Sequence, residues 1–239
     1  MRFFRAFINC LLPPRCHKCG IVLNEDVGLC DDCLKTIHFI TEPYCYKCGH
    51  PFEFLQQKSG KLLCGNCLKN KRTPFRFSRS AFIYDEDSKK LILDFKFHDH
   101  TESARFLAKM LFVAGEDIWK SDIDIIIPVP LHYTRLIRRR YNQSALLCNE
   151  LGKLTNIKVD NLSLIRHRKT RPQVELSGIE RQRNVRNVFS IKNVDAIKGK
   201  RVLLIDDVLT TGATLKECAY ALKRIGAKSV DSLTLGRVI

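Results

Sequence analysis

The stretch from Val202 to Leu215, VLLIDDVLTTGATL, restricts the possible folds more than any other part of the chain. Val202 to Ile205 is a short, continuous and branched apolar run, the pattern of a strand buried on both faces of a parallel sheet. From Ala213 the period changes: Leu215, Cys218, Ala219, Leu222 and Ile225 recur at three- and four-residue spacing, and Gly226 supplies a stop. Strand, loop and helix therefore follow one another. Asp206 and Asp207 fall at the strand's C-terminal tip, and Thr210, Thr211, Gly212, Ala213 and Thr214 lie where the helix begins. A helix N-terminus presents unpaired N–H groups and partial positive charge, a glycine lets the backbone come close to a ligand, and threonine hydroxyls add donors. The loop is shaped for a phosphate. No Gly-Lys-Ser/Thr follows, which excludes a Walker loop, and a single glycine excludes the dinucleotide fingerprint. The two acids would repel a phosphate. They suit another part of the same ligand: hydroxyl groups, Mg2+ or positive charge developing on a sugar ring.

Eight of the 11 cysteines form four CxxC pairs, Cys16-Cys19, Cys30-Cys33, Cys45-Cys48 and Cys64-Cys67. In a cytosolic chain such pairs predict tetrahedral zinc sites, because each knuckle offers two thiolates and two knuckles complete one ion. Sequential grouping gives Cys16, Cys19, Cys30 and Cys33 to one ion and Cys45, Cys48, Cys64 and Cys67 to a second. Gly20 and Gly49 follow the first knuckle of each, an internal repeat of CxxCG, loop and CxxCL. Four thiolates leave no coordination position for water or substrate, so the zinc is structural. A redox role would need a thioredoxin-like context, and disulfides an oxidising compartment. Cys148 and Cys218 fall on apolar helix faces as small hydrophobes, and Cys10 remains unplaced.

At 239 residues and 45% hydrophobic composition, the chain holds one ordinary domain and a small appendage. No run approaches the ~20 apolar residues of a membrane span. The N-terminus, MRFFRAFINCLLPPRC, begins basic and then apolar. Its apolar stretch is short, Pro13 and Pro14 interrupt it, no small-residue cleavage site follows and cysteines begin at once, so a cytoplasmic protein is expected. A net charge of +16 points to polyanionic partners such as nucleic acid, since phosphorylated small molecules need far less.

Beyond the cysteines lies a basic linker, KNKRTPFRFSRS, and then alternating strands and helices. Strands are predicted at Ala81 to Tyr84, Ile123 to Pro130, Leu162 to Arg166, Val202 to Asp206 and Val230 to Leu235. Helices are predicted at Lys89 to Phe97, Ser103 to Ala114, Asn142 to Leu154 and from Ala213. That alternation implies a parallel sheet with ligands at the C-terminal strand ends. After the second strand, Pro128 and Pro130 fix an extended turn followed by Arg135, Arg138, Arg139 and Arg140; this is either a pyrophosphate loop or a basic solvated helix face. Phe75 and Phe77, interleaved with Lys71, Arg72, Arg76 and Arg79, suit base stacking or core packing. The arginines of 166–171 and 181–186 suit a mobile flap or a nucleic-acid track. His98 and His100 lack a further ligand and read as a surface loop.

LLIDDVLTTGATL resembles the phosphoribosyl-diphosphate (PRPP) signature of type I phosphoribosyltransferases. Together with the cysteine pairs, PVPL and the R-x-Y-N-Q of Arg139 to Gln143 resemble the ComF family, competence-associated phosphoribosyltransferase-like proteins with an N-terminal double zinc ribbon, to which the gluconate-linked proteins are related. The resemblance covers nearly the whole chain. LILDFKFHDHTESARFLA is similar to the family's Lys-containing stretch, and RHRKTRPQVELSGIERQRNVRNVF follows its pattern with Arg166, Arg168, Gln173, Leu176, Arg181, Asn184, Val185 and Phe189 in step. One departure is Arg140, which stands in the family's glycine slot and alters backbone freedom or the approach of a diphosphate.

The resemblance implies a type I phosphoribosyltransferase-like parallel sheet flanked by helices, with a small N-terminal zinc-ribbon module. The division is 1–70 double zinc ribbon, 71–80 basic linker and 81–239 phosphoribosyltransferase-like domain. It implies that Asp206 and Asp207 hold the ribose and serve catalysis, that Thr210, Thr211, Gly212, Ala213 and Thr214 hold the 5'-phosphate, and that Pro128, Val129, Pro130 and Leu131 with Arg139 bind Mg2+-pyrophosphate. Arg138, Arg140, Arg166, Arg168, Arg171 and Arg181 are candidates for nucleic acid. The function implied is natural transformation or DNA uptake, with single-stranded DNA or a competence helicase-type protein as partner. A phosphoribosyltransferase with an unassigned acceptor and a PRPP-sensing regulator are the other two expectations.

Overall fold

In a computed structural model of the chain, residues 13–25, 27–52, 61–69, 73–97, 101–168 and 187–239 are described. Cys10, Lys71, Arg72, His98, His100, Arg171 and Arg181 lie outside them. The branched apolar runs form a four-stranded parallel sheet. Its strands are β1 (Ser78–Ile83), β2 (Ile125–Pro128), β5 (Arg201–Leu209) and β6 (Ser229–Arg237), in the order β1-β6-β5-β2. Helices cover both faces, which is why β5 reads as a continuous apolar run: alternate side chains enter opposite layers. Leu203 and Ile205 pack with Phe82, Phe95, Leu107 and Leu147, the last three from α3 (Glu86–Phe97), α4 (Ser103–Ala114) and α7 (Gln143–Thr155). Val202 and Leu204 pack with Leu215, Cys218 and Leu222 of α8 (Ala213–Arg224). Cys148 and Cys218 are fully buried in these layers.

Three expectations change. First, β5 continues past the acid pair because β6 runs beside it: Asp206 pairs with Thr234 and Val208 with Gly236, so the carboxylates lie inside the strand and not at its tip. Second, the segment ending at Arg166 does not enter the sheet. It forms β3 (Leu164–Arg166), which pairs antiparallel with β4 (Phe189–Ile191). Third, β1 begins at Ser78 and absorbs the end of the expected linker. Phe75 and Phe77 pack against the two core layers, and their flanking cations are engaged: Arg76 donates twice to the buried Asp231, and Arg79 to Asp117. Core packing is therefore the role these two rings have. Of the two readings of the arginine run after Pro130, its backbone takes the helical one, as α6 (Tyr133–Arg139).

Both sheet edges are covered. Backbone bonds join Ile126 to Lys158 and Asp160 along β2. On the other side residues 38–40 of the cysteine-rich region lie along β1: Ile40 N–H donates to the Ala81 carbonyl and Ile83 N–H to that of His38, both at 2.9 Å. The cysteine-rich region also carries α1 (Asp31–Lys35) and α2 (Gly65–Lys69), and it is keyed to the sheet by charged contacts. Lys18 pairs with Asp87 at 3.0 Å, Arg79 donates to the Tyr46 carbonyl at 2.8 Å, and Arg237 donates to the Cys48 carbonyl at 2.5 Å.

Candidate functional site

The four CxxC pairs converge as two clusters, Cys16, Cys19, Cys30 and Cys33, and Cys45, Cys48, Cys64 and Cys67, with the sulfurs of each within 4.8 Å of one another. Four thiolates at about 2.3 Å from a tetrahedral zinc stand about 3.8 Å apart. The Cys19–Cys30 and Cys48–Cys64 Sγ separations are 3.8 and 3.6 Å, so both clusters fit the ion. Tight turns place them: Gly20 and Gly49 take φ of +79° and +66°, and a Cβ on Gly49 would come within 2.6 Å of the Ser78 carbonyl. Burial raises the Cys16 and Cys45 thiols, but backbone N–H groups of the knuckles outweigh it and bring them down to about 6 and about 7. Burial and the neighbouring sulfurs push Cys33 and Cys67 up. Binding zinc displaces those protons.

At the C-terminal end of the sheet, the acid pair lies between two loops on adjacent strands. Pro128 pairs with Ile205, and Val129 N–H donates to the Ile205 carbonyl at 2.9 Å, so the turn of Pro128, Val129, Pro130 and Leu131 starts beside Asp206. On the other side Gly212, at φ +70°, opens α8, with Thr210 and Thr211 exposed before it and Thr214 in the first turn. Asp206 Oδ1 accepts from Ser144 Oγ at 3.2 Å and from the Asp207 N–H at 3.0 Å. Asp207 pairs with Lys96 at 2.9 Å, both side chains 17% exposed. Burial, and then the Asp207 charge, raises Asp206 to about 7; its N–H partner, Lys96 and Ser144 pull in the other direction. Lys96 is thus engaged by Asp207, and the Asp206 carboxyl is poised to hold or release a proton near neutrality.

The structure brings Asp206, Asp207, the Thr210–Thr214 loop and the Pro128–Leu131 turn together, and it separates the arginines by environment. Arg139 ends α6, partly buried, and donates to Gln143 Oε1 at 3.3 Å. Arg138 belongs to the same helix, its side chain outside the described residues. Arg140 and Arg168 are exposed. Arg166 is only 8% exposed, lies over the Phe189 ring at 5.6 Å and is lowered to about 10 by burial and by Arg135. It faces the interior, not the surface.

Comparison with known proteins matches residues 7–68 to the double zinc ribbon domain and residues 145–237 to the phosphoribosyl transferase domain. Competence protein F of Haemophilus influenzae is 35% identical over 231 residues, covering 93% of this chain and 96% of its own length. The DNA utilization protein YhgH of Escherichia coli strain K12 is 32% identical over 233 residues, covering 95% and 99%. The chain belongs to the ComF family. Competence protein ComFC of Bacillus subtilis, at 28% identity over 226 residues, covers 90% of the chain and 87% of its own length.

In this ComF-family chain Arg140 takes φ +65° as the C-cap of α6, the left-handed conformation that glycine adopts without strain. The residues after it act as staples that residue spacing does not disclose. Tyr141 donates to the Phe95 carbonyl at 3.1 Å and Gln143 to the Lys96 carbonyl at 3.0 Å, fixing the end of α3 that carries Lys96. Asn142 donates to the Val129 carbonyl at 3.1 Å and caps α7 by accepting from the Ser144 N–H. Lys96, Gln143 and Ser144 are thus parts of the site beyond the acids and loops. Among the described residues, no helix is long and apolar enough to cross a membrane.

Proposed function

We propose that this chain binds PRPP with Mg2+ at the acid pair of β5 and acts in the uptake and handling of DNA in the cytoplasm, on single-stranded DNA and with a helicase-type partner. The observation that carries the ligand is the placement of Asp206 and Asp207 between a glycine-opened helix start and a proline-fixed turn on the adjacent strand. In this reading the acids take the ribose hydroxyls, Thr210, Thr211, Gly212, Ala213 and Thr214 the 5'-phosphate, and the Pro128–Leu131 turn with Arg139 the diphosphate. Mg2+ fits the site as a companion of the diphosphate rather than as a resident ion. Asp207 is matched by Lys96, and among the described residues the clusters of three or more metal-type donors are the two cysteine sets. Such an ion is held by one or two carboxylates together with phosphate oxygens, and it offsets the charge of the leaving group.

The DNA half of the reading is supported by the names of the relatives, competence and DNA utilization proteins, and by a net charge of +16, far above what a sugar phosphate needs. Calorimetric titration of the zinc-loaded protein with PRPP and Mg2+, beside the Asp206→Asn/Asp207→Asn variant, tests the ligand. Saturable binding that the variant loses is the expected result; equal heats from both would refute the site. Transfer of the ribosyl group to an acceptor is favoured by the buried Asp206 carboxyl, held by Ser144 and the Asp207 N–H and raised to about 7, where it can exchange a proton at working pH. Pyrophosphate release with nucleobases, ammonia or amide donors would support transfer. Silence with PRPP binding intact leaves a sensor.

A further inference from the structure

We propose that α6 is the landing helix for single-stranded nucleic acid, with Tyr133 as its stacking platform. This rests on the nucleic-acid half of the proposed function and adds the surface that performs it. Between Asp124 and Glu150 the sequence has no acidic residue, while it carries Arg135, Arg138, Arg139 and Arg140. Amid these cations Tyr133 is 65% and Ile137 75% exposed, one turn apart on α6, with Leu136 at 40%. Large apolar side chains held in water on a segment whose own charges are all basic suit a ligand that is both apolar and anionic.

The tyrosine is backed by structure. Its ring lies 4.3 Å from that of His132, tilted by 40°. His132 is 4% exposed, and its Nδ1 meets the Thr134 N–H at 3.3 Å and Thr134 Oγ1 at 2.9 Å. A buried, bonded imidazole therefore supports one side of an exposed phenol ring, which lowers the entropy lost when a base stacks on the other side. At the far end of the helix Arg140 is kept exposed at φ +65°, a backbone conformation in which an arginine is strained.

The occupant follows from the shape. Paired bases offer their edges and not their faces, so a protruding ring stacks on unpaired bases. α6 has seven residues, fewer than the stripe that a groove-binding or membrane-surface helix buries. It begins directly after the Pro128–Leu131 turn, so a strand lying on it runs beside the acid-pair site.

Anisotropy titration of a labelled oligothymidylate with the zinc-loaded full chain, repeated across salt concentrations, tests the surface. Tyr133→Ala should weaken binding roughly five- to 150-fold, the range of one lost stacking contact, with the salt slope unchanged; Tyr133→Phe should stay within about twofold of the parent. Arg140→Gln should lower the salt slope by about one. PRPP calorimetry on Tyr133→Ala reports whether the fold is intact. Oligothymidylate binding that is undiminished in Tyr133→Ala would overturn the surface while leaving nucleic-acid binding in place. Absence of oligothymidylate binding by the parent would overturn both and leave the PRPP reading untouched. Displacement by polyglutamate as effective as by unlabelled oligothymidylate, or Tyr133-dependent binding to phosphatidylglycerol vesicles that the oligonucleotide does not displace, would assign the helix to another ligand and overturn it as well.

Discussion

The two regions of the molecule solve the problem of cohesion differently. The sheet domain buries two apolar layers around β5 and β6, whereas the second ribbon's core consists of Cys45, Cys64 and Cys67 with Cys48 and Phe52 packed against them. A cluster of sulfurs buries too little apolar surface to offset the entropy of ordering the chain, so the ribbon depends on its ions and the sheet does not. Where polar groups carry the cohesion, folding is conditional on a metal; where apolar layers carry it, the strand ends are free to hold charged chemistry.

Removing zinc should break the comparison most sharply. Structural zinc contributes about 10–16 kcal/mol in small fingers, so chelation or Cys45→Ser should abolish amide protection over residues 43–52 and 61–69 while that of β5 and β6 persists, as read by hydrogen exchange. Leu203→Ala should do the converse. It leaves a cavity in a fully buried layer, costs about 3–5 kcal/mol in urea unfolding, and leaves zinc stoichiometry unchanged. Arg79→Ala attacks the seam between the regions: Arg79 is 2% exposed and bonds Asp117 and the Tyr46 carbonyl. Its loss should cost roughly 2 kcal/mol, below the 3–5 of a fully buried pair because Asp117 keeps 31% of its surface, and it should speed chelation of the second cluster.

The acid pair belongs to the sheet's side of the comparison, and its titration shows it. Asp206 is raised to about 7, so the folded state holds a proton that the unfolded state releases near the ordinary 3.8. This favours the fold fully below 3.8, and the contribution is lost as pH rises through about 7. In the proposed binding mode the ribose hydroxyls donate to the ionised carboxylate, so PRPP affinity should increase by up to about tenfold per pH unit on approaching 7 and then level off. Asp206→Asn should flatten that profile. The smallest effect is expected of Arg140→Gly, which relieves a left-handed arginine and should stabilise the sheet domain by about 1 kcal/mol, seen as a higher urea midpoint with zinc content unchanged.

What could be read in the sequence was what local physics decides. The zinc ligands, the β5 run and the period of α8 each depend on spacing within one segment. What was hidden depends on partners far along the chain. The cations of residues 76 and 79 looked available for a polyanion because their carboxylates, Asp231 and Asp117, are 155 and 38 residues away. Lys96 reaches Asp207, and Ser144 reaches Asp206, only after the sheet has closed. β5 outran its expected end because β6 offered backbone partners past Ile205, which no propensity of Asp or Val records.

The backbone pairing of residues 38–40 with β1 gives the ribbon a protective office. An uncovered strand edge is a template for pairing with another chain. Loss of order in that segment would unmask β1 while the sheet stays folded, and molecules would then adhere edge to edge. That short contact governs whether the protein remains dispersed before any site governs what the protein does.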